Sequence, residues 1–398
     1  MTLFSTVEQA PRDPILGITE QFAADPHPHK VNLGVGMYYD ENGKVPLLKC
    51  VAAAEQAMAQ AHMARGYLPI DGIAEYDKAV QRLAFGEASE AVIEQRIATV
   101  QGVGGTGALK VAADFLRHLR PQAGVLISDP SWENHRALFT QAGFAVAAYP
   151  YYDRATHGVR FDAMLAALNA APAGTVVVLH ACCHNPTGCD LTPGQWREVA
   201  ASARSRGWIP LLDMAYQGFG RGLDEDAAAA RLFAEAGLDC LVATSFSKNF
   251  SLYGERVGAL SVVCRSRDEA QRVLSQLKVL IRTNYSNPPT HGAKAVATVL
   301  ADARLRALWH DELARMRERI RAMRERLIDR LRAAGVRQDM SFIAAQQGMF
   351  SYSGLSAEQM GRLRRESSVY GVDSGRICVA ALNERNLEHV AQAIARVV

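Results

Sequence analysis

The chain has 398 residues, is 49% hydrophobic and carries a formal net charge of +3. That balance supports a large folded core and leaves no basic surplus to drive nucleic-acid binding. Seven cysteines with no Cys-x-x-Cys pair suit a reducing, cytoplasmic setting, and charged residues such as Glu8, Arg12, Asp13 and Glu20 rule out reading the first residues as a signal segment.

Between about residues 97 and 263, short apolar or β-branched runs alternate with helical stretches. Strands are predicted at 97–101, 124–128, 145–149, 175–180, 209–213, 240–245 and 257–264. Several lack polar alternation, as strands buried on both faces of a mainly parallel sheet do. Helices fit between most of them; one over 192–206 opens with Thr192-Pro193 and stops before Gly207. The predicted fold class is α/β, a mainly parallel seven-stranded sheet with helices on both faces. Cys182, Cys183 and His184 form the only Cys/His cluster. Adjacent strand residues face opposite sides, so no metal is expected there. Further on, a helix over 267–283 is broken at 284–289, and a charged helix at 304–334 ends at Gly335. Within it, the arginines between Arg317 and Arg332 interleave with Glu318, Glu325 and Asp329 and read as a solvated face. The remainder reads strand, helix, strand, helix, enough for a smaller α/β domain.

Several strand ends carry chemistry. Ser245, Ser247 and Lys248 close one strand, and Arg256 follows eight residues after the lysine. Two hydroxyls and a guanidinium can bind one phosphate, leaving the lysine free to react with an aldehyde. Asp213 ends another buried strand, where a carboxylate needs a cation such as a pyridinium nitrogen; a helix-capping role is the plain alternative. Gly102-Val103-Gly104-Gly105-Thr106-Gly107 joins a strand to an apolar helix. This loop suits a dinucleotide, as in a dehydrogenase, and a single cofactor phosphate about equally. Asn185 can hydrogen-bond a ring oxygen, and Trp132 can stack on an aromatic cofactor or pack as core. Arg376 offers a fork for a carboxylate, or lies paired at the surface.

With Asp213, Lys248, Arg256 and Arg376 in this order, the chain resembles the class I aminotransferases of the aspartate and aromatic amino acid group. The likeness runs from 31–36 to the C-terminal helix through 104–110, 182–188, 215–219 and 247–250. It implies pyridoxal 5′-phosphate as cofactor, bound by Lys248 as a Schiff base, with Lys248 also moving the substrate proton. It further implies that Asp213, supported by His135, pairs with the ring nitrogen, that Tyr216 and Asn185 hold the ring oxygen, and that Trp132 stacks on the ring. Gly105, Thr106, Ser245, Ser247 and Arg256 would hold the phosphate, Arg376 the α-carboxylate, and Gly36 and Phe350 would close over the substrate. The expected domains are 46–312 for the cofactor and 1–45 with 313–398 as a mobile small domain.

Tyr67 and Arg282 are implied to reach the partner's site in a homodimer, Tyr67 at the phosphate and Arg282 at a substrate side-chain carboxylate. The reaction implied is ping-pong transamination between aromatic amino acids, aspartate or glutamate and 2-oxo acids such as 2-oxoglutarate. Tyr38-Tyr39, 132–135 and 251–256 lean toward the aromatic branch. An aspartate-restricted enzyme is the alternative, and Ser367-Ser368 departs from the family pattern.

Overall fold

The computed structural model describes residues 2–10 and 16–398. Its centre is a seven-stranded sheet of β1 (Ile97–Val103), β2 (Gly124–Asp129), β3 (Ala145–Pro150), β4 (Val176–His180), β5 (Ile209–Met214), β6 (Cys240–Ser245) and β7 (Val257–Val263), in spatial order β1-β7-β6-β5-β4-β2-β3. β7 runs antiparallel to both its neighbours, and the other pairs are parallel. Six strands therefore deliver their carboxyl ends to one edge.

The unbroken apolar runs are explained by burial on both faces. Along β4, Val177 and Leu179 join one hydrophobic cluster while Val176 and Val178 join another; Leu212 and Leu211 of β5 divide the same way. Each such side chain contributes roughly 1.5–3 kcal/mol when fully buried. Helix α1 (Gly104–Leu119) covers one face through Ala108, Leu109 and Ala112, and α2 (Pro193–Arg206) covers the other through Val199 and Ala203. The limits of α2 follow from its sequence. Thr192 and Gln195 form a reciprocal capping box, and Gly207 ends the helix at φ 70°.

β1 extends two residues beyond its predicted end because Val103 still pairs with Val257 of β7. Helix α3 (Arg267–Asn284) runs one residue past its predicted end, and α4 (Ala303–Ala333) is one continuous helix of 31 residues. Its arginine run is mostly solvated, although Arg317 and Arg319 are half-buried and donate to the carbonyls of Gly218 and Leu382. Arg324 is buried and donates to the carbonyls of Gly348 and Phe350 and to Ser351 Oγ, tethering the strand Phe350–Tyr352. That strand pairs antiparallel with Arg376–Cys378, and Val31–Asn32 pairs parallel with Val369–Tyr370. The C-terminal part thus holds two short sheets rather than one. All seven cysteines are free thiols, and no helix among the described residues is long and apolar enough to cross a membrane.

Candidate active site

The carboxyl ends of β1, β4, β5 and β6 surround a cavity of about 230 Å³. Of the residues picked out from sequence, Gly36, Gly105, Thr106, Trp132, Asn185, Asp213, Tyr216, Ser245, Ser247, Lys248, Arg256, Phe350 and Arg376 all line it. They come from stretches more than three hundred residues apart, and the sheet brings them together.

At one end is an anion cradle. The amino terminus of α1 points into it, and a sixteen-residue helix concentrates partial positive charge there. Ser245 and Ser247 hydroxyls lie 3.2 Å apart, and Arg256 Nη1 donates to Ser247 Oγ at 3.3 Å and to the Tyr253 carbonyl at 2.8 Å. Gly104 has φ +67°, and a Cβ there would stand 2.3 Å from Arg256 Nη2. Only glycine lets the guanidinium approach the helix start so closely. Three hydroxyls, backbone N–H groups and one arginine, with no acidic residue in the first turn of α1, make a donor set for a phosphate.

In the middle stand Lys248 and Asp213. The Lys248 ammonium lies 4.9 Å over the Tyr216 ring. Desolvation lowers its pKa to about 8; Asp213 opposes that shift and Arg256 adds to it. For Asp213, burial raises the pKa, but the hydrogen bond and charge of His135, with His180 and Lys248, outweigh it and leave the carboxyl below its ordinary value. His135 Nε2 meets Asp213 Oδ2 at 2.9 Å, and Ser131 Oγ meets His135 Nδ1 at 2.9 Å. His135 itself is completely buried behind the carboxylate. A buried, ionised carboxylate facing a cavity is built to hold a cation.

At the far end, Asn185 Nδ2 donates to the Tyr216 hydroxyl at 3.3 Å, and Asn185 Oδ1 accepts from Arg376 Nη1 at 3.1 Å. Arg376 Nη2 donates to the Gly34 carbonyl at 2.8 Å, and its guanidinium lies 4.4 Å from the Phe350 ring centroid. Gly36 packs on that ring so closely that a Cβ would meet Phe350 Cζ at 2.6 Å.

Of the remaining sequence candidates, His135 stands behind Asp213, and Tyr67 and Arg282 lie outside. Tyr67 is 96% exposed, and Arg282 is exposed with its guanidinium on Ser286 Oγ. Conversely, His180 and Tyr253 line the cavity without having been picked out. His180 occupies the last position of β4, in register with Asp213, so the strand-end logic that found the aspartate also applies to it. Burial first, then the nearby His135, depresses the His180 pKa to about 3, which keeps the ring neutral. Tyr253 receives the Tyr38 N–H at 2.8 Å and so ties the 37–39 segment to the cofactor side.

The reason for expecting no metal at Cys182 and Cys183 needs correction. Both lie past the end of β4, and Cys183 takes a left-handed φ of 51°, so strand alternation does not apply. Each sulfur and a carboxylate oxygen of Asp226 lie within 4.8 Å of one another. Asp226 already accepts the N–H groups of Gly218, Gly220 and Arg221, which makes it the organiser of that loop.

Comparison with known proteins agrees with this geometry. The family model described as aminotransferase class I and II matches residues 28–394. The chain is 60% identical over 397 residues to an aspartate aminotransferase of Pseudomonas aeruginosa, covering 100% of each chain. It is 52% identical over 396 residues to an aromatic-amino-acid aminotransferase of Escherichia coli, covering 99% of this chain and 100% of the other. A crystal structure of an aromatic-amino-acid aminotransferase from Burkholderia pseudomallei, covalently bound to pyridoxal phosphate, superposes with a TM-score of 0.98 at 63% identity over 100% of both chains. The dinucleotide reading of the Gly102–Gly107 loop is thereby set aside, and the chain belongs to the class I and II aminotransferases.

Proposed function

We propose that the cavity binds pyridoxal 5′-phosphate and that the enzyme moves amino groups between aromatic or dicarboxylic amino acids and 2-oxo acids such as 2-oxoglutarate. The observation that carries this reading is the alignment of three parts in one cavity: the anion cradle, Lys248 facing Asp213, and the Arg376 fork. When bound, the cofactor supplies an electron sink for the carbon losing its proton.

The chain's own residues do the rest. Gly105, Thr106, Ser245, Ser247 and Arg256 hold the phosphate. Asp213, kept ionised and oriented by His135, pairs with the ring nitrogen. Asn185 and Tyr216 hold the ring oxygen, and Trp132 covers the ring. Lys248 would supply the amine that joins the cofactor's aldehyde and, when free, would be the group placed to take the substrate α-proton and return it. A pKa near 8 leaves part of that amine neutral near pH 7, as a base must be. Arg376 receives the α-carboxylate in a two-point contact.

Closure of 1–45 and 313–398 over 46–312 is part of this reading. Gly36, Phe350 and Arg376 of the proposed small domain line the cavity together with the cofactor residues, while α4 runs unbroken across the boundary and has to flex for closure. A homodimer is also part of it. Tyr67, almost fully exposed, and Arg282, beside the exposed Val279, would serve the partner's cavity. Seven free thiols support a reducing, cytoplasmic setting.

The spectrum of the purified enzyme tests the whole. A visible absorption band is expected, converted to a near-ultraviolet band by glutamate and, in a fresh sample, by phenylalanine. A response to glutamate alone would favour the aspartate-restricted reading. No visible band after adding pyridoxal phosphate would sink the assignment of Lys248.

Arg282 gives a second test. A dicarboxylic substrate pairs with it, whereas an aromatic ring has to be accommodated while the guanidinium keeps polar company elsewhere. Losing a buried charge pair costs about 2–5 kcal/mol. Arg282→Leu is therefore expected to lower kcat/KM for glutamate by at least about 30-fold, with a much smaller change for phenylalanine. Equal losses in steady-state assays would remove this role.

A further inference from the structure

Glu133 begins the helix Glu133–Gln141, directly after Trp132. Its Oε2 is buried without a hydrogen-bond partner and lies 3.9 Å from Arg376 Nη1. Arg376 is incompletely satisfied as well. Its side chain is 1% exposed, Nη1 and Nη2 reach the neutral acceptors on Asn185 and Gly34, and Nε has no partner. Among the described residues, Glu133 is the carboxylate that forms an ion pair with this guanidinium. A buried cation served by neutral acceptors and by one anion beyond hydrogen-bond reach is undercompensated.

Glu133 Oε2, without a hydrogen-bond partner, thus faces the guanidinium across a gap too wide for a hydrogen bond. Glu133 stands in the first turn of its helix, where a negative charge is favoured independently of Arg376. The Glu133 side chain is also 33% exposed, so water can take over its solvation when the pairing is lost.

We propose that Glu133 is a displaceable counter-ion for Arg376: it balances the guanidinium when no carboxylate substrate is bound and is displaced as the α-carboxylate arrives. This rests on the assignment of Arg376 to the α-carboxylate made above. Every substrate must then replace an existing attraction, so Glu133 weakens ground-state binding of all carboxylates alike. It is a positioning residue that sets affinity, not the choice between aromatic and dicarboxylic side chains. Weaker ground-state binding also lets the product acid leave, which a reversible two-stroke reaction requires.

Binding of non-reacting carboxylates to the cofactor-loaded enzyme tests this without any turnover. We would titrate wild type, Glu133→Gln, Glu133→Asp and Arg376→Leu calorimetrically with 3-phenylpropionate and with maleate. Glu133→Gln keeps the shape and removes the charge. It is expected to tighten both probes by an equal factor of about three to ten, as the loss of a half-screened competing charge allows. Glu133→Asp should bind as wild type does, and Arg376→Leu should lose both probes. Unchanged or weaker binding by Glu133→Gln, or tightening of maleate alone, overturns the proposal while leaving Arg376 in its role. Wild-type affinity in Arg376→Leu overturns the reading of Arg376, and this proposal with it. Should the leucine variant fail to fold, Arg376→Lys, which loses the planar fork, gives the same comparison.

Discussion

Replacing Lys248 by alanine is expected to lower kcat/KM by at least about 10⁴-fold, because a positioned general base alone contributes about 10²–10⁴ and the covalent anchor is lost as well. The side chain stands where no other group can substitute for it. Arg256 is a permanent cation, and burial lifts the Tyr216 hydroxyl's pKa well above its ordinary value, opposed only in part by Arg376. Single-turnover absorbance with saturating amino acid measures the loss. Borohydride treatment, which fixes an imine as a stable amine, should tag the Lys248 peptide in wild type and leave the variant untagged. The depressed pKa adds a pH dependence. Forming the covalent link requires neutral amine, and with a pKa of about 8 the neutral fraction rises as pH climbs toward 8 and then levels. The rate at which cofactor-free enzyme takes up pyridoxal phosphate should therefore increase about tenfold per pH unit below 8 and flatten above it. A profile still rising steeply at pH 10 would show that desolvation does not act on Lys248 in this way. A variant retaining a tenth of wild-type turnover would show that the proton moves through another group.

What the sequence made legible, and what it withheld, follows from how local each signal is. Strands such as Val176–His180 and Cys240–Ser245 were readable because burial on both faces demands uninterrupted apolar residues, and that demand is written in the strand itself. The limits of α2 were readable because a capping box and a terminal glycine are contained within a few residues. The reversed direction of β7 left no such mark, since an antiparallel strand buried on both faces has the same composition as a parallel one. The left-handed turn at Cys183 was hidden because it is held by the Asp190 carboxylate, which accepts the Cys183 and His184 N–H groups, and a side-chain tether of that kind leaves no pattern in the residues it turns. Arg324 resembled its solvated neighbours, and only the strand packed against α4 separates it from them. The site residues at strand ends were found by position plus chemistry. Glu133 was missed as a functional group because its meaning lies in a guanidinium more than two hundred residues away. The roles proposed for Tyr67 and Arg282 belong to a further category, since a role in a partner's cavity would have no expression inside one chain.

Asp213→Asn should separate the chemical from the architectural role of the aspartate. The amide oxygen can still accept a hydrogen bond from His135, so the His135–Ser131 chain has a partner and the fold should survive, with a melting temperature close to wild type. What disappears is the negative charge facing the cavity. Two unit charges about 4 Å apart at an effective dielectric near 20 interact by about 4 kcal/mol. At about 1.36 kcal/mol per tenfold, losing that interaction predicts a fall in kcat/KM of about 10³-fold. The same substitution removes the principal influence holding the Lys248 pKa up, so the cofactor uptake profile should shift to lower pH, the opposite of what loss of a cationic neighbour would do. Both effects come from one charge and should appear together. A large loss of activity with an unmoved uptake profile would mean that Asp213 acts on the ring alone and is electrostatically uncoupled from Lys248. A loss below tenfold would mean that the electron sink does not depend on this carboxylate, and the pairing of Asp213 with the ring nitrogen would have to be abandoned.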